Sequence, residues 1–307
     1  MKTIENNFEL IGNTPLIHLK KIEKLFNLKS HIYAKYERVN LTGSIKDRIA
    51  KGIVENLLTK KIINKDTTII APTTGNTGIS LACVCTYLNI KLIIVMPSNM
   101  SMERRQMIKA LGAKIEIVPK EKGMKGCIEK SNLINKKIKN SYILDQFNDE
   151  TNIECHYKTT GKEIYKQMDG KVDYFLASFG SGGSICGVAK YLKEKNKKIK
   201  VIAIEPSGIA LFNKRKDKEN LIQGIGEGFV PKNFKKELID EIITVTNKEA
   251  FEFTRLLAKE EGLFVGISSG CNLACCIKYA KKYPNKNIVT LFSDNGERYF
   301  STKGLFE

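Results

Sequence analysis

The strongest constraint in this sequence is the regular alternation of short apolar runs with longer amphipathic segments. Seven runs have the length and apolar content of buried strands, namely HIYAKY, TTIIAP, KLIIVM, KIEIV, DYFLAS, KVIAIE and NIVTLFS. Segments of helical length, such as SIKDRIAKGIVENLL and SMERRQMIKALG, follow most of them. This alternation predicts an α/β fold in which mostly parallel, twisted sheets are flanked by helices.

The composition fits this fold and limits the classes of partner that we expect for the protein. A chain of 307 residues with 42% apolar residues is long enough for two lobes, which we expect to join near residues 145–150. The net charge is +18, but the cations are spread along the whole chain and aromatic residues are not interleaved with them. We therefore expect no nucleic-acid partner.

The sequence also predicts no membrane segment and no metal site. Its apolar runs are much shorter than the ~20 residues of a membrane span, and the first ten residues have no secretory core. The 8 cysteines form no CxxC pair, and the three histidines lack zinc-ligand spacing around them. We expect core thiols in a cytoplasmic protein.

Ligands of parallel α/β folds lie beyond the carboxyl ends of strands, so the turns from strand to helix indicate where a site is expected. The first such turn reads NLTGSIKDR, and Ser44 with Asp47 resembles a capping box at a helix start. Lys46 then falls in the first helical turn, where the helix dipole disfavours a cation by roughly 0.3–1 kcal/mol. In a dry site the lysine pKa would fall further, which would give a nucleophilic amine. An ordinary solvated lysine is the alternative for this turn taken alone.

Two further turns are rich in groups that bind anions. The turn APTTGNTGIS, residues 71–80, places hydroxyl, amide and backbone N–H groups before an apolar helix, which suits a carboxylate. A well-capped turn is the alternative there. The turn GSGGS, residues 180–184, predicts a phosphate cradle because its glycines allow close approach and its serines add donors.

A dinucleotide fold is a competing interpretation of the glycine-rich turn. Glu205 ends a strand about 20 residues further on, as an acidic ribose partner would. However, Ile185 stands where the third glycine of G-x-G-x-x-G belongs, so a single phosphate fits better.

A last turn, FVGISSGCN, opens another helix at Ser268 and Ser269. A lysine, a carboxylate turn and a phosphate cradle together indicate pyridoxal phosphate, for which lysine is the Schiff-base partner.

The ordered motifs resemble those of the cysteine synthase (O-acetylserine sulfhydrylase) family of fold type II pyridoxal-phosphate enzymes. They run from IGNTPL through GSIKDR, TTGNTG, DQFN, GSGGS, QGIGEGF and GISSG to SDNGERY. The resemblance implies a smaller mobile lobe, residues 40–148, and a larger cofactor-binding lobe, residues 1–39 plus 149–307. It also implies a homodimer, and some members of the family bind the tail of serine acetyltransferase.

The same resemblance implies a role for each motif residue. Lys46 would hold the cofactor as an internal aldimine, and Ser268 would face the ring nitrogen. Asn76 would bind the ring 3′ oxygen. The cofactor phosphate would be bound by Gly180, Ser181, Gly182, Gly183 and Ser184. The substrate carboxylate would be bound by Thr73, Thr74, Gly75, Asn76, Thr77 and Gln146.

The implied reaction is a β-replacement on a 3-substituted L-alanine through an aminoacrylate, most simply O-acetyl-L-serine plus sulfide giving L-cysteine and acetate. The chain departs from the usual family residues at Leu41, Thr42, Thr74, Asp149, Glu227 and Ser293, and neutral sequence drift is one explanation of these differences. Glu227, near the substrate, suits an alternative in which L-cysteine itself reacts and releases hydrogen sulfide, as in a cysteine lyase, a lanthionine synthase or a cystathionine β-synthase. A nicotinamide oxidoreductase and a non-catalytic basic scaffold are more distant alternatives.

Overall fold

Strands and helices alternate along the chain in the computed structural model, which describes residues 3–215 and 217–307. The strands are β1 (Leu16–His18), β2 (His31–Tyr36), β3 (Thr68–Pro72), β4 (Lys91–Pro97), β5 (Lys114–Val118), β6 (Ser141–Ile143), β7 (Tyr174–Ser178), β8 (Lys200–Pro206), β9 (Glu241–Val245) and β10 (Asn287–Phe292). The α-helices are α1 (Lys20–Leu25), α2 (Lys46–Thr59), α3 (Asn76–Tyr87), α4 (Met102–Ala110), α5 (Gly123–Lys137), α6 (Thr151–His156), α7 (Lys162–Gln167), α8 (Gly183–Lys195), α9 (Asn247–Leu256) and α10 (Ile267–Lys282). Single π-helical turns, Tyr157–Gly161 and Leu257–Glu261, follow α6 and α9.

The strands form two sheets that are almost entirely parallel. One has six strands in the order β1-β2-β10-β7-β8-β9, and the other has four in the order β5-β4-β3-β6. Only the pairing of β1 with β2 is antiparallel among the strand pairs of the described residues. The two-sheet α/β architecture expected from the sequence is therefore confirmed.

All seven apolar runs form strands, and their predicted ends are correct to within one residue. The sequence pattern missed β1, β6 and β9. The first two have only three residues each, which is too short for a pattern. The third is an edge strand whose residues are mostly half-buried, so it lacks the continuous apolar run of a central parallel strand.

Helix α2 bridges the two apolar cores. Ile49, Ile53 and Leu57 pack in the core of the four-stranded sheet, at the spacing that the sequence predicted. Ile45, just before the helix, packs instead in the core of the six-stranded sheet. None of the helices in the described ranges has both the length and the apolar character of a membrane span.

A buried ion network holds the start of α2 against the six-stranded sheet. The Arg48 guanidinium donates to the Glu37 carboxylate at 2.7 and 2.8 Å and to the Glu163 carboxylate at 2.7 and 2.8 Å. Lys35 of β2 lies 2.7 Å from the same Glu163 carboxylate. Burial opposes ionisation of Glu163, but Arg48 and Lys35 outweigh it and lower the pKa of Glu163 to about 2.

Replacing Arg48 should strongly destabilise the fold. In Arg48→Ala the buried Glu37 carboxylate loses its ionic partner, and we expect a loss of about 3–5 kcal/mol in the free energy of unfolding. Lys158→Ala is the matched control, since Lys158 forms an exposed helical ion pair with Glu154 that contributes about 0.5 kcal/mol or less. Urea unfolding measures both. Equal destabilisation by the two variants would contradict the importance of the buried network.

Candidate active site

One cleft is lined by residues from the carboxyl ends of strands in both sheets, which is where parallel α/β folds leave room for ligands. The turns after β3 and β7 form two of its walls, and Ser293 follows β10. The cleft brings together most of the residues singled out in the sequence: Lys46, Thr73, Thr74, Asn76, Thr77, Gln146, Gly180, Ser181, Gly182, Ser184, Glu227 and Ser268. Gly75 and Gly183 belong to the same turns but do not line the cleft.

Lys46 is the first residue of α2, as expected, but the predicted capping box is wrong. Ile45 is the N-cap and makes no side-chain capping bond. The Asp47 carboxylate accepts hydrogen bonds from the Thr42 amide at 2.7 Å and from the Ser80 hydroxyl at 2.5 Å. Because Asp47 is buried, its charge is satisfied by these nearby donors instead of by the local helix end. The Asp47 carboxylate therefore connects the NLTGS turn to α3 through its bonds with Thr42 and Ser80.

The Lys46 amine has the properties of a nucleophile. Burial lowers the pKa of Lys46, and the negative charges of Asp294 and Glu227 oppose this shift only in part. Among the described residues its Nζ has no hydrogen bond and no ion pair, although the side chain lines the cleft. The amine is therefore available to a ligand carbonyl, and a lowered pKa increases its neutral, reactive fraction.

The glycine-serine turn has the geometry of an anion cradle. Gly182 is the N-cap of α8 with a φ of +82°, so the turn requires a glycine. A Cβ on Gly182 would lie 2.7 Å from the backbone nitrogen of Phe234. The N-terminal end of α8 begins at this turn, and Ser181, Gly182 and Ser184 line the same cleft, which suits a phosphate.

Two buried side chains position the serines of this cradle. The Asn152 amide donates to the Ser181 hydroxyl at 3.0 Å. His156 lies with Nε2 3.2 Å from the Ser184 hydroxyl and Nδ1 2.9 Å from the Thr160 hydroxyl. Burial, with the charges of Arg48 and Lys46, holds the pKa of His156 well below its ordinary range, so the ring is neutral. Sequence reasoning missed both residues, because their role depends on packing of α6 against α8.

The turn after β3 presents a second helix end to the cleft. Gly75 is the N-cap of α3, and its amide donates to the Thr73 hydroxyl at 3.2 Å. The Thr77 hydroxyl donates to the Gln146 side-chain oxygen at 2.6 Å, which leaves the Gln146 amide nitrogen as a donor. These donors suit a carboxylate, as the sequence predicted, although the role itself remains a prediction.

The Asn76 side chain is held by the SDNGERY segment. Its Nδ2 donates to the Asp294 carboxylate at 2.6 Å, and its Oδ1 accepts from Arg298 at 2.7 Å. Asp294 also accepts from the Tyr299 hydroxyl at 2.7 Å, and the Arg104 guanidinium lies 4.6 Å from the Tyr299 ring centre. One Nδ2 hydrogen of Asn76 remains for a ligand. Asp294 was not singled out in the sequence, although its place just after β10 is a usable signal.

Two further sequence predictions have a clear outcome. Ser268 is the second residue of α10 and is almost fully buried in the wall of the cleft, and the predicted helix opening is confirmed. The Glu205 carboxylate accepts from the Leu211 amide at 2.7 Å and from the Asn213 side chain at 3.0 Å. Glu205 therefore holds its own loop and does not line the cleft, which argues against the dinucleotide interpretation.

Known proteins resemble the chain over almost its full length. A family model described as "Pyridoxal-phosphate dependent enzyme" matches residues 8–294. Cysteine synthase B of Campylobacter jejuni is 46% identical over 302 residues, which cover 98% of this chain and 99% of the relative. The chain therefore belongs to the pyridoxal-phosphate dependent enzymes and, within them, to the cysteine synthase family.

Solved structures agree with this assignment. A hydrogen sulfide-producing enzyme from Fusobacterium nucleatum has a TM-score of 0.93 and 39% sequence identity, covering 97% of this chain and 100% of its own. An O-acetylserine dependent cystathionine beta-synthase from Helicobacter pylori has a TM-score of 0.94 and 37% identity, and both chains are covered completely. Both similarities extend over the two sheets and the cleft between them.

The residues of the cleft fit pyridoxal phosphate. The helix end at Gly182 and the neighbouring serine hydroxyls match a phosphate group. The unbonded amine of Lys46 matches its aldehyde. Ser268 and Asn76 line the same space and offer polar groups for a ring.

Gly182→Ala tests whether the close backbone approach is needed for cofactor binding. Gly262→Ala is the matched control, because Gly262 also has a positive φ, of +69°, but a Cβ there would meet nothing within 4 Å. We expect the control to lose about 1–2 kcal/mol of stability from backbone strain alone and to keep its cofactor. Gly182→Ala should also lose most of its bound pyridoxal phosphate, measured by absorbance after denaturation. Equal cofactor content in the two variants would contradict the cradle.

Proposed function

We propose that this enzyme catalyses β-replacement on O-acetyl-L-serine, with sulfide as the nucleophile and L-cysteine and acetate as products. The observation that carries this proposal is the position of Lys46. Its amine shares one cleft with the glycine-serine cradle after β7 and the carboxylate turn after β3. A phosphorylated carbonyl cofactor and an amino-acid substrate bound at these two helix ends would both have their reacting groups near that amine.

In the proposed mechanism the protein supplies binding and proton transfer. Bound pyridoxal phosphate supplies the electron withdrawal that acidifies the substrate Cα–H. The Lys46 amine, whose neutral fraction is larger because burial lowers its pKa, takes this proton as acetate leaves Cβ. Sulfide then forms the C–S bond at Cβ, and Lys46 returns the proton to Cα. The Thr73–Thr77 turn and Gln146 hold the substrate carboxylate throughout.

Two further roles belong to the proposal. Ser268 faces the cofactor ring nitrogen, and because a hydroxyl does not stabilise a protonated pyridine as an aspartate does, elimination at Cβ is favoured over a long-lived carbanion. Closure of the smaller lobe, residues 40–148, excludes water while Cβ is reactive. The four-stranded sheet, built from residues 68–143, supports this division, since the six-stranded sheet comes from the segments on either side.

Lys46→Ala is the direct test of the proposed mechanism. We expect this variant to bind pyridoxal phosphate without the visible absorption band of a lysine-linked cofactor. It should also lose at least about a thousandfold in kcat for cysteine formation, since general base and covalent partner disappear together. Lys51→Ala, in the second turn of the same helix but not in the lining of the cleft, is the control and should behave as wild type. A Lys46→Ala protein that kept the band would disprove the assignment.

The alternative with L-cysteine as substrate has specific support from Glu227. This half-buried side chain lines the cleft and accepts a hydrogen bond from the Thr74 hydroxyl at 3.3 Å. Burial raises the pKa of Glu227, while Thr74 and the charge of Lys46 oppose the rise. A carboxylate there would repel sulfide and could activate water or a thiol. In that case L-cysteine would release hydrogen sulfide and yield serine, lanthionine or cystathionine.

Glu227→Ala and Glu227→Gln together test this alternative, since glutamine keeps an acceptor for Thr74 but cannot take a proton. If Glu227 activates the nucleophile, both variants should lose about 10²–10⁴-fold in hydrogen sulfide release from L-cysteine. Both should keep cysteine formation from O-acetyl-L-serine and sulfide. In the wild type, the rate of hydrogen sulfide release should fall as the pH drops through the raised pKa of Glu227, because the protonated side chain cannot act as a base. The glutamine variant should not show this fall. Unchanged activity on both substrates would remove the role for Glu227.

We also propose that the enzyme is a cytoplasmic homodimer and that its cleft accepts the C-terminal tail of serine acetyltransferase. This proposal follows from membership of the family. The tail would bring a terminal carboxylate to the turn after β3, whose helix end suits that group. Light scattering and a tail-peptide binding assay test the two parts separately.

A further inference from the structure

A second cluster of functional groups lies at the amino-terminal edge of the six-stranded sheet. The Nε2 of His18, at the end of β1, is 2.8 Å from Oε1 of Glu23 on α1. The Nδ1 of His31, the first residue of β2, is 3.2 Å from the other oxygen of the same carboxylate. The ligand atoms of the three residues all lie within 4.8 Å of one another.

Neighbouring groups hold these side chains in place. The Glu23 carboxylate accepts the Ile32 backbone N–H at 2.7 Å, which orients it toward the two rings. The His18 ring is stacked on Tyr33 with ring centres 4.5 Å apart. The antiparallel register sets His18 opposite Tyr33, two residues from His31, so both histidines lie on one face of the β1–β2 pair. A hydrogen bond that orients the carboxylate, as the Ile32 N–H does here, is typical of metal-binding carboxylates.

We propose that His18, Glu23 and His31 form a binding site for Zn²⁺, with water in the fourth position. Two imidazoles and one carboxylate are a common zinc ligand set when one position stays open. With metal–ligand bonds of about 2.0–2.1 Å, tetrahedral ligand atoms lie about 3.3 Å apart. The Glu23 carboxylate lies 2.8 Å from the His18 nitrogen and 3.2 Å from the His31 nitrogen. Side-chain rotations that replace these two contacts would bring the three ligand atoms to this spacing around one ion. The His31 side chain is 53% exposed, so a metal ion can enter from solution.

The site is separate from the catalytic cleft. His31 begins β2, whereas the cleft lies at the carboxyl ends of the parallel strands. A metal ion bound there would link β1, α1 and β2 without touching Lys46. The expected effect is therefore on stability, which rises by mass action when a ligand binds the folded state only. The sequence predicted no metal because the three histidines lack zinc-ligand spacing around the cysteines. The register of β1 on β2 and the position of α1 bring His18, Glu23 and His31 together.

Calorimetric titration of the chelator-treated holoenzyme with Zn²⁺ tests the proposal. We expect one equivalent to bind tightly, with a higher Tm in Zn²⁺ than in chelator. The variants His18→Ala, Glu23→Gln and His31→Ala should each bind at least about tenfold more weakly, since even the loss of a supporting contact costs that much. Glu23→Gln keeps the acceptor for the Ile32 N–H, and His31 is exposed, so these two variants should fold normally. Lys29→Ala, an exposed neighbour, should bind as wild type.

Two outcomes would overturn the proposal. One is a wild-type holoenzyme that binds no Zn²⁺. The other is binding that persists undiminished in all three ligand variants, which would place the metal elsewhere, for example on the half-buried thiols of Cys83 and Cys155. The visible spectrum of bound Co²⁺ separates these cases, because a thiolate-to-cobalt charge-transfer band would identify cysteine ligands and disprove the histidine site. Cysteine synthase activity serves as a fold control and should be equal in all variants.

Discussion

The buried bonds of Arg48 are the interaction on which the rest of the active-site geometry depends. Arg48 lies two residues after Lys46 and binds Glu37, just after β2 of the larger sheet, and Glu163 of α7. A buried ion pair adds little net stability over a well-packed apolar pair, but it accepts only one arrangement, because any other leaves a charge unpaired. The network therefore positions the first turn of α2, and with it the Lys46 amine, relative to the glycine-serine turn after β7.

A second polar network positions the opposite wall of the cleft. Asp294 and Arg298, from the segment after β10, hold both ends of the Asn76 carboxamide at the start of α3. This contact joins positions 218 residues apart and links the smaller sheet to the C-terminal segment. The same Asp294, together with Glu227, limits how far burial lowers the pKa of Lys46. The cleft thus combines a buried amine with two carboxylates, of which Asp294 holds Asn76 and Glu227 contacts Thr74.

Local patterns predicted much of the fold and of the site. Continuous apolar runs identify parallel strands because both faces of such strands are buried. The glycine-serine turn indicates an anion cradle because helix N-termini and glycines act locally. The predicted capping box at Ser44 and Asp47 was wrong because tertiary contacts compete with the local helix end for the Asp47 carboxylate. Once α3 packs beside α2, Ser80 and Thr42 satisfy the buried carboxylate better than the helix end does. His156 and Asp294 were missed because their partners are distant in the chain.

The sequence by itself determined the α/β alternation, the helix that begins at Lys46 and the glycine-rich turn of residues 180–184. These features depend on backbone conformation and burial, which short stretches of sequence specify. Only the tertiary structure decided that Glu227 faces Thr74 in the cleft, that Glu205 serves its own loop, and that His18, Glu23 and His31 meet. Such contacts require strand register and helix packing to bring remote side chains within hydrogen-bonding distance, and no local pattern encodes that distance.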